Sequence, residues 1–286
     1  YKCLMCRHRW GGKKEKQDWI SEAYEKYTLK RQTLKDLSET YGKSSRTLQK
    51  YFDRYQAVIG EIRIPSHPVN LVMDATFFHR RQGVLVARAN KHNLLWQEIE
   101  TESMEVYERF LDDLIAAGVK LLSCTIDGKP GVRRVLQEKF PDLPIQFCQF
   151  HQVQIVTRYL SKRPKLPAGK ELRSIMLSIT KIEKKTFLKR LETWHERWKD
   201  FLNEKTKNDL TKRWFYTHRR IRSASRSLLT NFPYLFTFQD YPELHIPNTT
   251  NSCDGSFAHW KNKLGIHRGL RTDRKKKMMH FFLEHC

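Results

Sequence analysis

Three aspartates in this 286-residue sequence have neighbours that suit metal chemistry. Asp74 lies in the middle of an apolar run at 70–78, and Asp127 directly follows a second apolar run, Leu121–Ile126. Burying a carboxylate costs several kcal/mol unless it is paired or binds a cation. One buried acid is usually a satisfied structural group. Two acids at neighbouring strand positions favour divalent cations, which carboxylates bridge when phosphoryl groups are transferred.

The third acid is harder to choose, because several lie between Asp127 and the C-terminus. The candidates are Glu183, Glu192, Glu196, Asp240, Glu243 and Asp254. Asp254 lies in a polar stretch, 248–263, that enters a predicted helix. An acid in the first turn of a helix also has an ordinary role, in which it stabilises the helix dipole. The residues by themselves leave both roles of Asp254 open.

Two motifs have the spacing of zinc ligands but too few ligands for a site. Cys3 and Cys6 form a C-x-x-C knuckle, which would hold Zn²⁺ only if the rest of a ribbon precedes Tyr1 in a longer protein. The pair is otherwise incidental. Cys148 and His151 follow the fifth predicted strand, where packing or hydrogen bonding explains them as well as a metal does. The scattered cysteines predict a reducing compartment.

Residues 14–60 are predicted to form a helix-turn-helix unit. Gly42 falls where the first helix must end, and Ser44 lies in the turn that supplies an N-cap for a second helix at 46–55. The second helix would present four side chains to a major groove: Ser45, Arg46, Gln49 and Lys50. An ordinary helical hairpin would have the same pattern.

The order of elements from 68 to 152 predicts an α/β core. Strands at 70–78, 83–88 and 94–99 precede a helix at 104–117, a strand at 121–126, a helix at 131–140 and a strand at 145–150. This is the order of a ribonuclease-H-like mixed sheet, with acids in the first strand and at the end of the fourth. We expect 153–245 to be an all-helical insertion and 246–286 to complete the core with a basic C-terminal helix.

The charge balance predicts a polyanionic partner. There are 54 Lys and Arg against 31 Asp and Glu, a net charge of +23. Four residues near the C-terminus are predicted phosphate contacts: Lys261, Lys263, Arg268 and Arg271. A solvated basic helix is the alternative for them. Basic and aromatic residues also alternate between Trp214 and Arg220, as they do on base-stacking surfaces and over buried aromatic clusters.

Membrane insertion is not expected, because no apolar run approaches the roughly 20 residues of a spanning helix. The N-terminal residues also lack the apolar stretch of a signal peptide. With the basic charge, these features predict a cytoplasmic, nucleoid-associated protein with no membrane partner.

Taken together, the motifs resemble the IS256 and Mutator-like transposases, in the variant with an N-terminal zinc ribbon at 1–13. The matching residues are Asp74, Asp127-Gly128, Cys148-x-x-His151 and Thr249-Thr250-Asn251-x-x-Asp254-Gly255. The resemblance implies that Asp74, Asp127 and Asp254 hold two Mg²⁺ or Mn²⁺ ions. The family usually has Glu at the third position, so Asp254 leaves open whether this copy is active.

The implied activity is cleavage at transposon ends followed by strand transfer. Double-stranded DNA, as terminal inverted repeats and as target, would be the partner of a homodimer or higher oligomer. Two alternatives remain from the sequence. One is a domesticated, catalytically inactive DNA-binding protein derived from a transposase, and the other is a ribonuclease-H-like nuclease that cleaves particular DNA structures.

Overall fold

The computed structural model describes residues 18–56, 64–267 and 269–285. The chain forms two compact units, one from Tyr1–Glu61 with Ser256–Cys286 and one from Ile62–Gly255. The predicted zinc ligands Cys3 and Cys6, and the predicted phosphate contact Arg268, lie outside the described residues. Every helix in the described part of the chain falls short of the length and apolarity that crossing a membrane requires.

The first unit begins with three helices, α1 (Asp18–Leu29), α2 (Leu34–Tyr41) and α3 (Ser45–Arg54). Helix α2 ends at Gly42, whose φ of 60° is a left-handed value that glycine adopts without strain. The Ser44 hydroxyl accepts a 3.1 Å hydrogen bond from the backbone N–H of Thr47 and so caps α3. These contacts confirm the predicted turn and N-cap.

A C-terminal helix, α13 (Thr272–Glu284), belongs to this first unit. Met278 and Phe281 are buried in its apolar core, as is Phe52 of α3. The guanidinium of Arg274 also donates two hydrogen bonds, of 2.7 and 2.8 Å, to the carboxylate of Asp53. The structure therefore differs from the prediction that 246–286 complete the α/β core, since 256–286 group with the N-terminal helices.

The second unit is built on a mixed five-stranded sheet. Its strands are β1 (Val69–His79), β2 (Gln82–Ala89), β3 (His92–Ile99), β4 (Leu121–Ile126) and β5 (Ile145–Phe147). They lie in the order β3-β2-β1-β4-β5, with β1, β2 and β3 antiparallel and with β4 and β5 parallel to β1. Helix α4 (Met104–Ala116) leads from β3 to β4, and helix α5 (Pro130–Lys139) leads from β4 to β5. The predicted mixed α/β architecture is confirmed at this level.

Helices dominate the rest of the second unit. They are α6 (Gln149–Leu160), α7 (Pro167–Leu177), α8 (Lys184–Arg197), α9 (Lys199–Asn203), α10 (Arg219–Leu235), α11 (Thr237–Asp240), a 3₁₀ turn (Pro242–Leu244) and the start of α12 (Asn251–Ile266). Two predictions were wrong here. The fifth strand ends at Phe147, because Cys148 already caps α6. The insertion is not all-helical, because β6 (Lys205–Lys207) and β7 (Trp214–Tyr216) form a hairpin.

Candidate metal centre

Asp74 lies in the middle of β1 and is 8% exposed. Its Oδ1 accepts a 2.8 Å hydrogen bond from the backbone N–H of Ala75. Burial, together with the negative charges of Asp254 and Asp127, raises the pKa of Asp74 to about 7, and the positive charge of His151 opposes this shift. A carboxylate in such surroundings is stabilised by a cation placed beside it.

Asp127 directly follows β4, next to Asp74. Val72 of β1 pairs with Thr125 of β4 in parallel register. The residues two positions further along each chain are Asp74 and Asp127, and side chains two positions apart share a face of the sheet. Asp127 follows the end of β4 and is near enough for its negative charge to raise the pKa of Asp74.

The turn after Asp127 holds its carboxylate in place. The backbone N–H of Lys129 donates a 3.3 Å hydrogen bond to Oδ1, and the Lys129 ammonium lies 3.6 Å from Oδ2 and pairs with Glu102 as well. Gly128 has a φ of 86°, and a Cβ there would lie 3.2 Å from the ring of Phe147. A glycine at position 128 is therefore a requirement of this turn.

The segment before α12 is fixed to the sheet by two side chains. The amide of Asn70, on β1, donates a 2.6 Å hydrogen bond to the carbonyl of Leu244. The hydroxyl of Thr125, on β4, donates a 2.7 Å bond to the carbonyl of Pro247. These bonds bring the first turn of α12, and with it Asp254, to the strands that carry the other two acids.

Thr250 links the two polar motifs that the sequence singled out. The buried Cys148 Sγ accepts hydrogen bonds from the Thr250 N–H at 3.3 Å and the Thr250 hydroxyl at 3.5 Å. That hydroxyl also lies 3.3 Å from Nδ1 of His151 and 3.5 Å from Oδ2 of Asp254. Burial raises the pKa of the Cys148 thiol, but hydrogen bonds from His151 and Thr250 outweigh it and the net shift is downward. The Cys148 side chain therefore orients its neighbours.

The structure brings Asp74, His151 and Asp254 together. One potential ligand atom from each lies within 4.8 Å of the others. The side-chain hydrogen bond with Cys148 and the charges of Asp74 and Asp254 together raise the pKa of His151 to about 9, although burial opposes the shift. Two carboxylates and an imidazole form a donor set for a divalent cation once the imidazole has released its second proton to make room for the ion, and the buried, charge-repelled carboxylate of Asp74 fits that group.

This set differs from the predicted one, because Asp127 lies beside it and His151 within it. The C-x-x-H spacing was the signal that could have pointed to His151. By itself that spacing does not predict that the imidazole lies beside Asp74, because β1 and α6 are distant in the sequence. Of the other motif residues, Thr249 is half-buried and Asn251 is exposed at the start of α12.

The predicted DNA contacts in the helical unit fall into two groups. Arg46 and Lys50 are exposed on α3. Ser45 and Gln49 instead have protein partners, since Ser45 shares a 2.9 Å hydrogen bond with Ser38 and Gln49 donates to Asp53 at 3.3 Å. Ser45 is exposed as well, and Gln49 is partly buried.

The C-terminal predictions divide in the same way. Lys261 is exposed, and Arg271 is exposed but paired with Asp273 at 2.7 Å. Lys263 is only 3% exposed, and its ammonium donates to the carbonyl of Leu29. The prediction for Lys263 was wrong, because a buried ammonium that satisfies a backbone carbonyl is not presented to a phosphate.

A comparison with protein-family models found no match to this chain, and a comparison with curated proteins found none either.

Proposed function

We propose that this chain is a DNA transposase that cleaves transposon ends and transfers them to target DNA with divalent metal ions. The observation that carries the proposal is the grouping of Asp74, His151 and Asp254, with Asp127 directly after the neighbouring strand. Acids far apart in the sequence converge on one partly buried point, where their mutual repulsion is costly unless cations bind.

The proposal includes a ribonuclease-H-like catalytic core. Its support is the strand order β3-β2-β1-β4-β5, in which only β1, β2 and β3 are antiparallel. A second support is the position of the first two acids, one within β1 and one at the end of the adjacent β4. The helical region between β5 and α12 would then be an insertion that precedes the third acid.

Each residue of the centre has a part in this chemistry. Asp74, Asp254 and His151 would hold one Mg²⁺ or Mn²⁺ ion, and Asp127 would share a second with Asp74. Such ions activate the attacking oxygen and stabilise the leaving oxygen of a phosphodiester. Thr250 keeps the His151 ring in position through its hydroxyl.

The helical unit would bind the transposon ends. Helices α2 and α3, joined at Gly42, have the length and capping of a helix-turn-helix, and Arg46 and Lys50 project from the second helix into solvent. The net charge of +23 suits a duplex DNA partner. Two or more protomers would pair the ends before cleavage.

The test is a cleavage and strand-transfer assay on labelled duplexes made from the DNA that flanks the gene. Wild-type protein is compared with Asp74→Ala and with Asp113→Ala, which removes an exposed aspartate of α4. We expect Asp74→Ala to lose at least about a thousandfold in cleavage rate and Asp113→Ala to match the wild type. Equal rates for Asp74→Ala and wild type would remove the proposed centre.

A further variant in the same assay tests Asp254, the third acid. Asp254→Glu restores the residue that the resembled family usually has and lengthens the side chain by one methylene. A gain in rate would show that the aspartate weakens this copy. Cleavage without joined products would favour a nuclease over a transposase.

A further inference from the structure

A second charged feature lies away from the acids, on the hairpin that interrupts the helices. Strands β6 and β7 pair with Lys205 opposite Tyr216 and Lys207 opposite Trp214. Both pairs fall on one face, because residues two positions apart in a strand share a side. The two ammonium groups lie 5.4 Å and 6.0 Å from the ring centroids of the opposite aromatic residues. We call these four residues the hairpin face.

The base of the hairpin is firmly held by α10. The guanidinium of Arg222 lies 3.6 Å from the centroid of the Tyr216 ring and donates a 2.7 Å hydrogen bond to the carbonyl of Leu202. His218 stacks on Phe201, with ring centroids 3.5 Å apart. The hairpin therefore presents its face from a fixed support.

The turn of the hairpin is also ordered. The Asn208 side-chain oxygen accepts hydrogen bonds from the backbone N–H groups of Leu210 at 3.0 Å and Thr211 at 2.8 Å. The backbone N–H of Asn208 donates a 2.9 Å bond to the carbonyl of Arg213, which closes the loop. Such local bonds limit the entropy that the loop would lose on binding.

Trp214, Lys205 and Lys207 of the hairpin face are exposed, and Tyr216 is half-buried. Trp214 is 64% exposed, a large apolar area to leave in water. Residues 204–220 contain six Lys or Arg and two acids. One of those acids, Glu204, lies 2.8 Å from Nε2 of His218 and so is already engaged. The accessible surface thus combines an exposed aromatic side chain with cations.

This combination matches single-stranded DNA better than duplex DNA. Bases in a duplex are stacked on one another, so an aromatic side chain reaches their faces only where a strand is unpaired. Lysines on either strand of the hairpin supply charge for the flanking phosphates, whatever the base sequence. An apolar protein partner would leave those lysines without counter-charges.

We infer that the hairpin face binds a single-stranded segment of DNA, with Trp214 stacked on an unpaired base and Lys205 and Lys207 on adjacent phosphates. The inference rests on the proposed function only for the choice of DNA as the polymer. It assigns a binding site that is separate from the acidic residues and requires no metal ion.

The test measures binding of a fluorescent oligothymidylate of about 12 nucleotides by anisotropy, in EDTA so that no cleavage occurs. The variants are Trp214→Ala, Trp214→Phe and, as a control, Leu210→Ala, which removes the 93% exposed apolar side chain of the same hairpin. We expect Trp214→Ala to weaken binding about tenfold, since one base–aromatic stack contributes about 1–3 kcal/mol. Trp214→Phe should recover most of the affinity, and Leu210→Ala should match the wild type.

A salt titration tests the lysines separately. Replacing Lys205 and Lys207 by Ala should reduce the slope of log affinity against log salt by about 0.7 for each lost phosphate contact. Equal affinities for wild type and Trp214→Ala, or an unchanged salt slope for the double lysine variant, would overturn the inference. Tighter binding of an oligouridylate than of the oligothymidylate would overturn the choice of DNA.

The same experiment separates this inference from the proposed function. Asp74→Ala should bind the oligothymidylate like the wild type, because the hairpin needs no metal. Loss of cleavage in Asp74→Ala with unchanged binding in Trp214→Ala would therefore keep the catalytic proposal and remove the hairpin site. The opposite pattern would keep the hairpin site and remove the catalytic proposal.

Discussion

Two aspartates, one in each unit, show how surroundings decide what an acid can do. Asp53 of the helical unit receives two hydrogen bonds from Arg274, which hold its pKa below the ordinary value. Asp74 of the sheet unit is buried near two further acids, and its pKa rises to about 7. Asp53 is already compensated within its own unit. Asp74 is compensated in part by His151 and gains further from a cation.

The largest expected effect is on metal binding beside Asp74, which the contrast with Asp53 predicts. Replacing His151 by Gln should weaken Mn²⁺ binding about 10- to 100-fold, because the imidazole is one of three converging donors. Electron paramagnetic resonance of free Mn²⁺ measures this without DNA. The matched control is His195→Gln on α8, where the side chain is exposed. Equal affinities for the two variants would exclude His151 from the metal centre.

In EDTA, removing the charge of Asp74 and removing the charge of Asp53 should change the melting temperature in opposite directions. Asp74→Asn should raise the melting temperature at pH 8 by about 3–8 °C, because it removes a buried charge that folding disfavours. The folded pKa of Asp74 is raised, so the penalty is absent below about pH 4 and complete above about pH 7. Scanning calorimetry across this range should show the stabilisation growing with pH.

Asp53→Asn should have the opposite effect in the same melts. The folded pKa of Asp53 is lowered, so its stabilising contribution is present above the unfolded pKa and is lost as pH falls through the folded pKa. The melting temperature should therefore drop modestly at pH 8, since the pair is partly exposed. Stabilisation by both substitutions, or by neither, would break the comparison.

The smallest expected effect concerns the exposed charges of the helical unit. Arg46→Ala should reduce the salt slope of duplex binding by about 0.9, the value for one phosphate contact, if Arg46 touches the backbone. Lys35→Ala on α2 provides a control of the same charge. Filter binding at several salt concentrations measures both, and an unchanged slope for Arg46→Ala would argue against α3 as the DNA-facing helix.

Local structure was largely predictable from the sequence. The turn at Gly42 and the cap at Ser44 follow from short-range preferences, and the structure has both. Strand β4 matches its predicted bounds because its apolar run is closed by an Asp-Gly turn. The β6–β7 hairpin was missed, since strands of three residues carry too little alternation to be distinguished from helix ends.

The C-terminal residues show where local patterns stop being sufficient. Helix α13 has a plain amphipathic sequence, and nothing in that sequence says which core will bury Met278 and Phe281. Lys263 likewise has the composition of a solvated charge, yet its ammonium meets a backbone carbonyl. In both cases the partner lies far away in the chain, so neighbouring residues carry no information about it.

The sequence by itself determined the elements, the buried position of Asp74 and the basic character of the chain. Only the tertiary structure decided which groups surround Asp74. The parallel pairing of β1 with β4 sets Asp127 beside it, and the bonds from Asn70 and Thr125 bring Asp254 to the same point. Electrostatic repulsion depends on distance in space, and that distance exists only once strands far apart in the chain have paired.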